Sequence, residues 1–337
     1  MPAPDILSPD FLRNMPLCAC VDIGGTKIAA SLLTPQGLQY KTSVATPKTG
    51  TPLALAQAVL GLIAQVCERA GVQPQALARI AIATCGPLQQ VDGAWVLAAP
   101  NICGAVGGTL NASLPNDWQY APLQAPIQAA LPQAQLYLAL DTVAALQAER
   151  RWGALQGFAH CAYVTWSTGI GAALCVEGQV LRGKNGNAGH LGHSLVQDKL
   201  ADACGCGNAG DVEAVSGGHN WSQQLPALGF VDLPALFAAA QDPLNPKQAQ
   251  ALAQIQARAR ILGRAIYNLV VLGDLERVAI GGSVFWQQQA LLLPLLQREV
   301  TQRFAALTAQ VQIVPAGLGL AVGDYAALAL CAEREAL

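Results

Sequence analysis

This sequence has little charge. Only 12% of its 337 residues are Asp, Glu, Lys or Arg, about half of the roughly 25% usual in soluble domains. Aromatic residues make up 5%, and methionine occurs twice. The 19 basic and 21 acidic residues leave a net charge of -2, with no run of one sign. A chain without a basic stripe has no electrostatic footprint for a nucleic-acid backbone or an anionic bilayer, so the expected partners are small molecules. No secretory leader is expected, since MPAPDILSPDFLRN has no basic segment followed by an apolar one. Two uncharged windows, 278–297 and 304–323, are broken by Gly281, Gly282, Pro294 and Pro315, and neither reads as the roughly 20 apolar residues of a bilayer span. The expected setting is the cytoplasm. There, eight of the ten cysteines (18, 20, 67, 85, 103, 161, 175 and 331) read as scattered core thiols.

What is present is apolar: 53% hydrophobic residues exclude disorder and supply a large core. Single cores stop growing near roughly 250–300 residues, so two lobes are expected. Residues 1–16 read as a loose N-terminal extension, 17–140 plus 321–337 as a small lobe, and 141–320 as a larger lobe containing a loop at 186–217. Apolar runs at 17–23, 28–33 and 38–45 predict a meander, followed by a helix up to Gly71. Runs at 79–84 and 135–140 read as buried strands flanking a long loop. After a helix from Asp141 to Trp152 the opening pattern returns, with strands at 161–166, 171–177 and 179–182. Helices near 247–273 and up to about 304, strands at 277–280 and 311–314, and a last helix from about 321 complete the α/β pattern.

Asp22-Ile23-Gly24-Gly25-Thr26-Lys27 closes the first buried run. Glycines let backbone N–H groups approach a phosphate, Thr26 adds a hydroxyl, Lys27 adds charge, and Asp22 can hold a hydrated Mg²⁺. Gly24-Gly25 alone would suit a plain hairpin; the whole string favours phosphate. Ser167-Thr168-Gly169-Ile170-Gly171 fills the matching turn of the second half. It is no dinucleotide fingerprint, which would need glycine at Leu174 and a following helix. Asp141 ends a strand and opens a helix. It can cap that helix or accept a proton from a substrate hydroxyl. His193, Cys204, Cys206 and Asp211 make an N, S, S, O set suited to tetrahedral Zn²⁺, while Asp211 could equally cap a helix at Val212.

In order along the chain, DIGGTK, STGIG, AGHLGH, CGCGNAGDVE with SGG after it, and IGGSV resemble the ROK (repressor, open reading frame, kinase) group of sugar kinases and sugar-responsive repressors. The resemblance implies an actin-like ATPase fold: two RNase H-like lobes, mixed β-sheets flanked by helices, with a cleft between them where ATP and sugar meet. It implies that Asp22, Gly24, Gly25, Thr26, Lys27, Thr168, Gly169 and Gly171 hold Mg-ATP, and that Gly281, Gly282 and Ser283 lie near adenosine. It makes Asp141 the catalytic base, and Gly86, Asn101, Asp141, His190, His193 and Glu213 the sugar contacts. It also places a structural Zn²⁺ on His193, Cys204, Cys206 and Asp211, and implies a cytoplasmic homodimer. The implied reaction is ATP-dependent phosphorylation of the 6-hydroxyl of a hexose or N-acetylhexosamine. N-acetylmannosamine ranks ahead of glucose because His190 matches some bacterial kinases for that sugar. Two positions depart from the pattern: Leu140 stands where Asn is usual, and Asp211 where a third cysteine is usual. A sugar-binding regulator of this group would carry a helix-turn-helix before the phosphate motif, which 16 residues do not build. A catalytically silent member is the remaining alternative.

Overall fold

The computed structural model describes residues 7–108, 110–111, 113–197 and 203–332. Its contacts divide the chain into two compact units, Met1–Arg151 with Arg182–Ala188 and Ala321–Leu337, and Trp152–Leu181 with Gly189–Leu320. The helix that starts at Asp141 thus lies almost wholly with the first unit, as does the segment 182–188, whereas the sequence reading assigned both to the second lobe.

In the first unit a short helix α1 (Pro9–Asn14) precedes strands β1 (Cys18–Ile23), β2 (Lys27–Thr34) and β3 (Gly37–Ala45), then helix α2 (Ala54–Arg69) and strand β4 (Arg79–Thr84). Strands β5 (Leu88–Val91), β6 (Ala94–Leu97) and β7 (Ala121–Pro122), helix α3 (Gln124–Ala130), strand β8 (Gln135–Leu140) and helix α4 (Asp141–Trp152) follow. The main sheet runs β3-β2-β1-β4-β8, antiparallel from β3 to β1 and parallel from β1 through β4 to β8. β1 sits in the middle because CACVDI has scarcely a polar side to offer, and its residues except Asp22 are buried. α2 buries Leu55, Val59, Leu62, Ile63 and Val66, the i, i+3, i+4 stripe of an amphipathic helix, against β2 and β3. The C-terminal helix, Val322–Cys331, packs on β1 and β4.

The second unit repeats this plan. Strands β9 (Cys161–Trp166), β10 (Ile170–Val176), β11 (Gln179–Val180), β12 (Arg277–Gly281) and β13 (Gln312–Pro315) form a sheet ordered β11-β10-β9-β12-β13. The strand senses match those of the first sheet, antiparallel on one side and parallel on the other. Helices α5 (Val212–Ser216), α6 (Gly218–Gln224), α7 (Leu233–Gln241), α8 (Gln248–Gly273), α9 (Ser283–Gln287), α10 (Gln289–Thr301) and α11 (Ala305–Thr308) complete it. Its core gathers Trp166, Trp221, Phe237, Ile255, Leu262 and Phe285. Among the described residues no helix is long and apolar enough to cross a membrane.

Three expectations need correction. The extension is partly structured: the Ser8 hydroxyl accepts from Phe11 N at 3.2 Å, and the Phe11 ring lies 5.0 Å from the Arg151 guanidinium. The long loop at 86–133 holds a three-stranded sheet and α3; its hairpin turns at Asp92-Gly93, both at positive φ, a pairing the sequence displays. Finally, Cys18 and Cys331 are joined as a disulfide, where sequence spacing showed only scattered thiols.

Candidate active site

β1, β4 and β8 run parallel with Ile23, Thr84 and Leu140 in register, so their C-terminal ends share one edge of the first sheet. Asp22 stands at the end of β1, Cys85 and Gly86 follow β4, and Asp141 follows β8. The Asp22–Lys27 turn is tight, with Gly24 N donating to Lys27 O at 2.9 Å and the Thr46 hydroxyl donating to Gly24 O at 2.7 Å. A Cβ on Gly25 would stand 2.3 Å from Asn101 Nδ2, so this glycine keeps two predicted site residues together. Burial pushes the Asp22 carboxyl up to about 6, with help from Asp324 and against Lys41 and Lys27. Asp324, in the first turn of the C-terminal helix and ion-paired to Lys41, is a site neighbour that sequence reasoning missed. It lies 302 residues from Asp22, and no local pattern links them. Asp141 is exposed, and its Oδ1 accepts from Thr142 N at 2.7 Å, so it helps to start α4 while facing solvent. Leu140 before it is buried and carries no polar atom on its side chain.

In the second unit the Ser167–Gly171 turn joins β9 to β10. Ser167 O and Thr168 O accept from Gly218 N and His219 N at 2.9 Å, which ties the turn to the start of α6. The Ser167 and Ser283 hydroxyls are 3.0 Å apart, so the turn and the Gly281-Gly282-Ser283 corner adjoin. Gly282 has φ +93, and a Cβ there would stand 2.3 Å from Trp166 O; only glycine fits. A Cβ on Gly169 would meet Glu213 Oε2 at 2.5 Å. That oxygen accepts from Ile170 N at 2.8 Å, so Glu213 braces the turn as well as lying beside the histidines.

His190 and His193 stack with ring centroids 5.7 Å apart. Burial, then the neighbouring His193, holds His190 down at about 4, hence neutral. Its Nε2 is buried with no hydrogen-bond partner among the described residues, and a buried polar atom of this kind calls for one. The metal set gathers as the spacing suggested: one ligand atom from each of His193, Cys204, Cys206 and Asp211, all within 4.8 Å of one another. His193 Nδ1 is 3.4 Å from Asp211 Oδ2 and 3.7 Å from Cys204 Sγ, and Cys206 Sγ is 3.5 Å from Asp211 Oδ2. A tetrahedron with Zn–N and Zn–O near 2.0–2.1 Å and Zn–S near 2.3 Å has edges of about 3.3–3.8 Å, so these residues fit the ion. Asp211 is fully buried, and its other oxygen accepts from Ala214 N at 2.7 Å to cap α5. Burial works to raise this carboxyl, but hydrogen bonds from His193 and Ala214 N outweigh it and hold Asp211 low. The Asp211 hydrogen bond raises His193, and burial raises both thiols.

Residues 18–334 match the ROK family. This chain is a member of the ROK family. It is 31% identical over 271 residues to an N-acetylmannosamine kinase of Escherichia fergusonii, covering 78% of this chain and 82% of that protein. The structure of a ROK hexokinase from Thermus thermophilus superposes with a TM-score of 0.69 at 28% identity, over 94% of this chain and 97% of the hexokinase. A ROK glucokinase from Streptomyces griseus, solved with glucose and AMPPNP, gives 0.71 at 24% identity, over 92% and 97% of the two chains. The ROK member thus has the actin-like ATPase fold, and its two equivalent sheets are the two RNase H-like halves.

Proposed function

We propose that this ROK protein transfers the γ-phosphoryl group of ATP to the 6-hydroxyl of an N-acylated hexosamine, with N-acetylmannosamine as first substrate and glucose or another hexose second. It is an ATP-dependent sugar kinase, in keeping with its kinase relatives. The observation that carries the choice of sugar is the half-buried, neutral His190 ring, whose buried Nε2 has no partner among the described residues and can meet one hydroxyl or amide of a ligand. Asn101, Gly86, His193 and Glu213 complete the proposed sugar contacts. Asp141, exposed at the end of β8, takes the proton of the attacking hydroxyl. A positioned base contributes about 10²–10⁴-fold, and positioning and charge supply the rest of phosphoryl transfer.

The turn Asp22–Lys27 in the first unit and the turn Thr168–Gly171 in the second offer backbone N–H groups to phosphates, with Gly281, Gly282 and Ser283 toward adenosine. Mg²⁺ would be held through Asp22, whose hard carboxylate oxygens suit it. When bound, it neutralises phosphate charge. Zn²⁺ would be structural on His193, Cys204, Cys206 and Asp211, fixing the His193 ring rather than entering the reaction.

Leu140 and Asp211 favour a second reading, a sugar-binding family member without turnover. A panel of sugars assayed by coupled ADP release separates the two. Turnover on N-acetylmannosamine at a higher kcat/KM than on glucose is expected; no ADP release with any sugar, alongside measurable sugar binding, would establish the silent reading. Asp141→Asn should lower kcat by about 10²–10⁴-fold with little change in sugar KM. Near wild-type turnover in that variant would remove the base assignment.

A further inference from the structure

We propose that the second unit carries a separate pocket for a phosphorylated sugar, formed by α8, Arg303 just beyond α10 and the segment 195–197. The cavity measures about 630 Å³, and its polar lining includes Arg264, Tyr267, Asn268 and Arg303, with Leu195 among its apolar lining residues. Among the described residues no carboxylate lines it. None of these residues belongs to the proposed kinase site.

The two arginines differ in a useful way. Arg303 is fixed from behind: its Nε donates to Glu299 O and its Nη2 to Glu299 Oε2, both at 2.8 Å, and its guanidinium lies 5.5 Å from the Tyr267 ring centre. Arg264 makes no hydrogen bond or ion pair among the described residues. Among the described residues, with Glu299 counted, the pair leaves one uncompensated positive charge, which suits a phosphate monoester; guanidinium forks bind phosphate oxygens in pairs. Arg264, Tyr267 and Asn268 stand at i, i+3 and i+4, so they share one face of α8. Phenol and amide next to the cation match the hydroxyls of a sugar ring, and Leu195 offers a surface for its C–H face.

The wall at 195–197 is not isolated. Val196 N and Gln197 N donate to Gly210 O at 3.1 and 3.3 Å, and Leu195 pairs with Asp211. A ligand resting on this wall therefore bears on the ladder that joins His193 to Asp211, and its binding steadies the cysteine-bearing loop.

The test is calorimetric titration of the intact protein, without turnover, by glucose 6-phosphate and separately by inorganic phosphate. Glucose 6-phosphate is expected to bind with Kd of about 1 mM or tighter, and at least tenfold more weakly to Arg264→Ala. Inorganic phosphate is expected to bind more weakly than the sugar phosphate and to be insensitive to Asn268→Ala, a substitution that weakens the sugar phosphate. Arg264→Ala should leave the KM for ATP and for sugar unchanged. Equal affinity in wild type and Arg264→Ala, or phosphate binding as tightly as the sugar phosphate, would overturn the proposal. So would a fall in sedimentation mass in Arg264→Glu, which would mark this face as a contact between copies of the chain.

Discussion

Asp211 serves two structures with two oxygens. The spacing of the sequence left its roles as zinc ligand and helix cap as alternatives; the fold uses Oδ1 for Ala214 N and turns Oδ2 to His193 and Cys206. Which oxygen faces which neighbour is set by the loop's path, and no residue pattern encodes that. A graded series follows. Asp211→Asn keeps the cap, since Asn caps as well as Asp, but weakens the metal. Asp211→Cys supplies a thiolate and loses the cap, about 1 kcal/mol. Asp211→Ala loses both. Elemental analysis of protein purified without chelator should give close to one zinc per wild-type chain and markedly less for Asn and Ala, with the Tm of Ala lowest. Asp22 makes the opposite bargain with stability. Its carboxyl is raised from 3.8 to about 6, chiefly by burial and next by Asp324, so the folded state holds the proton more tightly than the unfolded one. The favourable contribution is complete below 3.8 and disappears as pH rises to about 6. Asp22→Asn should therefore match or trail wild type near pH 4 and exceed it in denaturant midpoint above pH 6, in the absence of nucleotide. A wild-type advantage at pH 7 would contradict this.

At the scale of elements, those with an apolar run or stripe were legible, down to the four-residue β13, and those without one were not. β1, α2, β4, β8, α8 and β12 follow directly from apolar runs or helical stripes in the sequence, because each buries one coherent face. α1 was missed because six residues hold no full stripe; a cap at Ser8 and one ring against Arg151 define it instead. β5 and β6 are four residues each, too short for alternation to register, and only Asp92-Gly93 announces them. Gly93 sits at φ +76, where a side chain costs roughly 1–2 kcal/mol. Gly93→Ala should lower stability by about that amount with unchanged kcat; a neutral effect would show that the turn relaxes freely. α5 was announced only by the cap at Asp211 and α6 escaped, because this stretch also carries Glu213 and Gly218, which hold the second turn, so chemistry rather than periodicity wrote it.

For the whole molecule, the repeat was legible as two glycine turns between strand pairs and proves to be two sheets of identical strand order. The scattered cysteines were the least legible feature, since Cys18 and Cys331 are 313 residues apart and only the docking of the C-terminal helix on β1 brings them together. Their bond closes nearly the entire polypeptide into a ring. A protease that cuts an oxidised chain once, anywhere between those two residues, releases nothing: a single cut opens the ring into one linear molecule. Limited proteolysis at the exposed Leu110 should consequently leave one full-mass band on a non-reducing gel and two fragments after reductant. Two fragments without reductant would mean that the ring is open in solution.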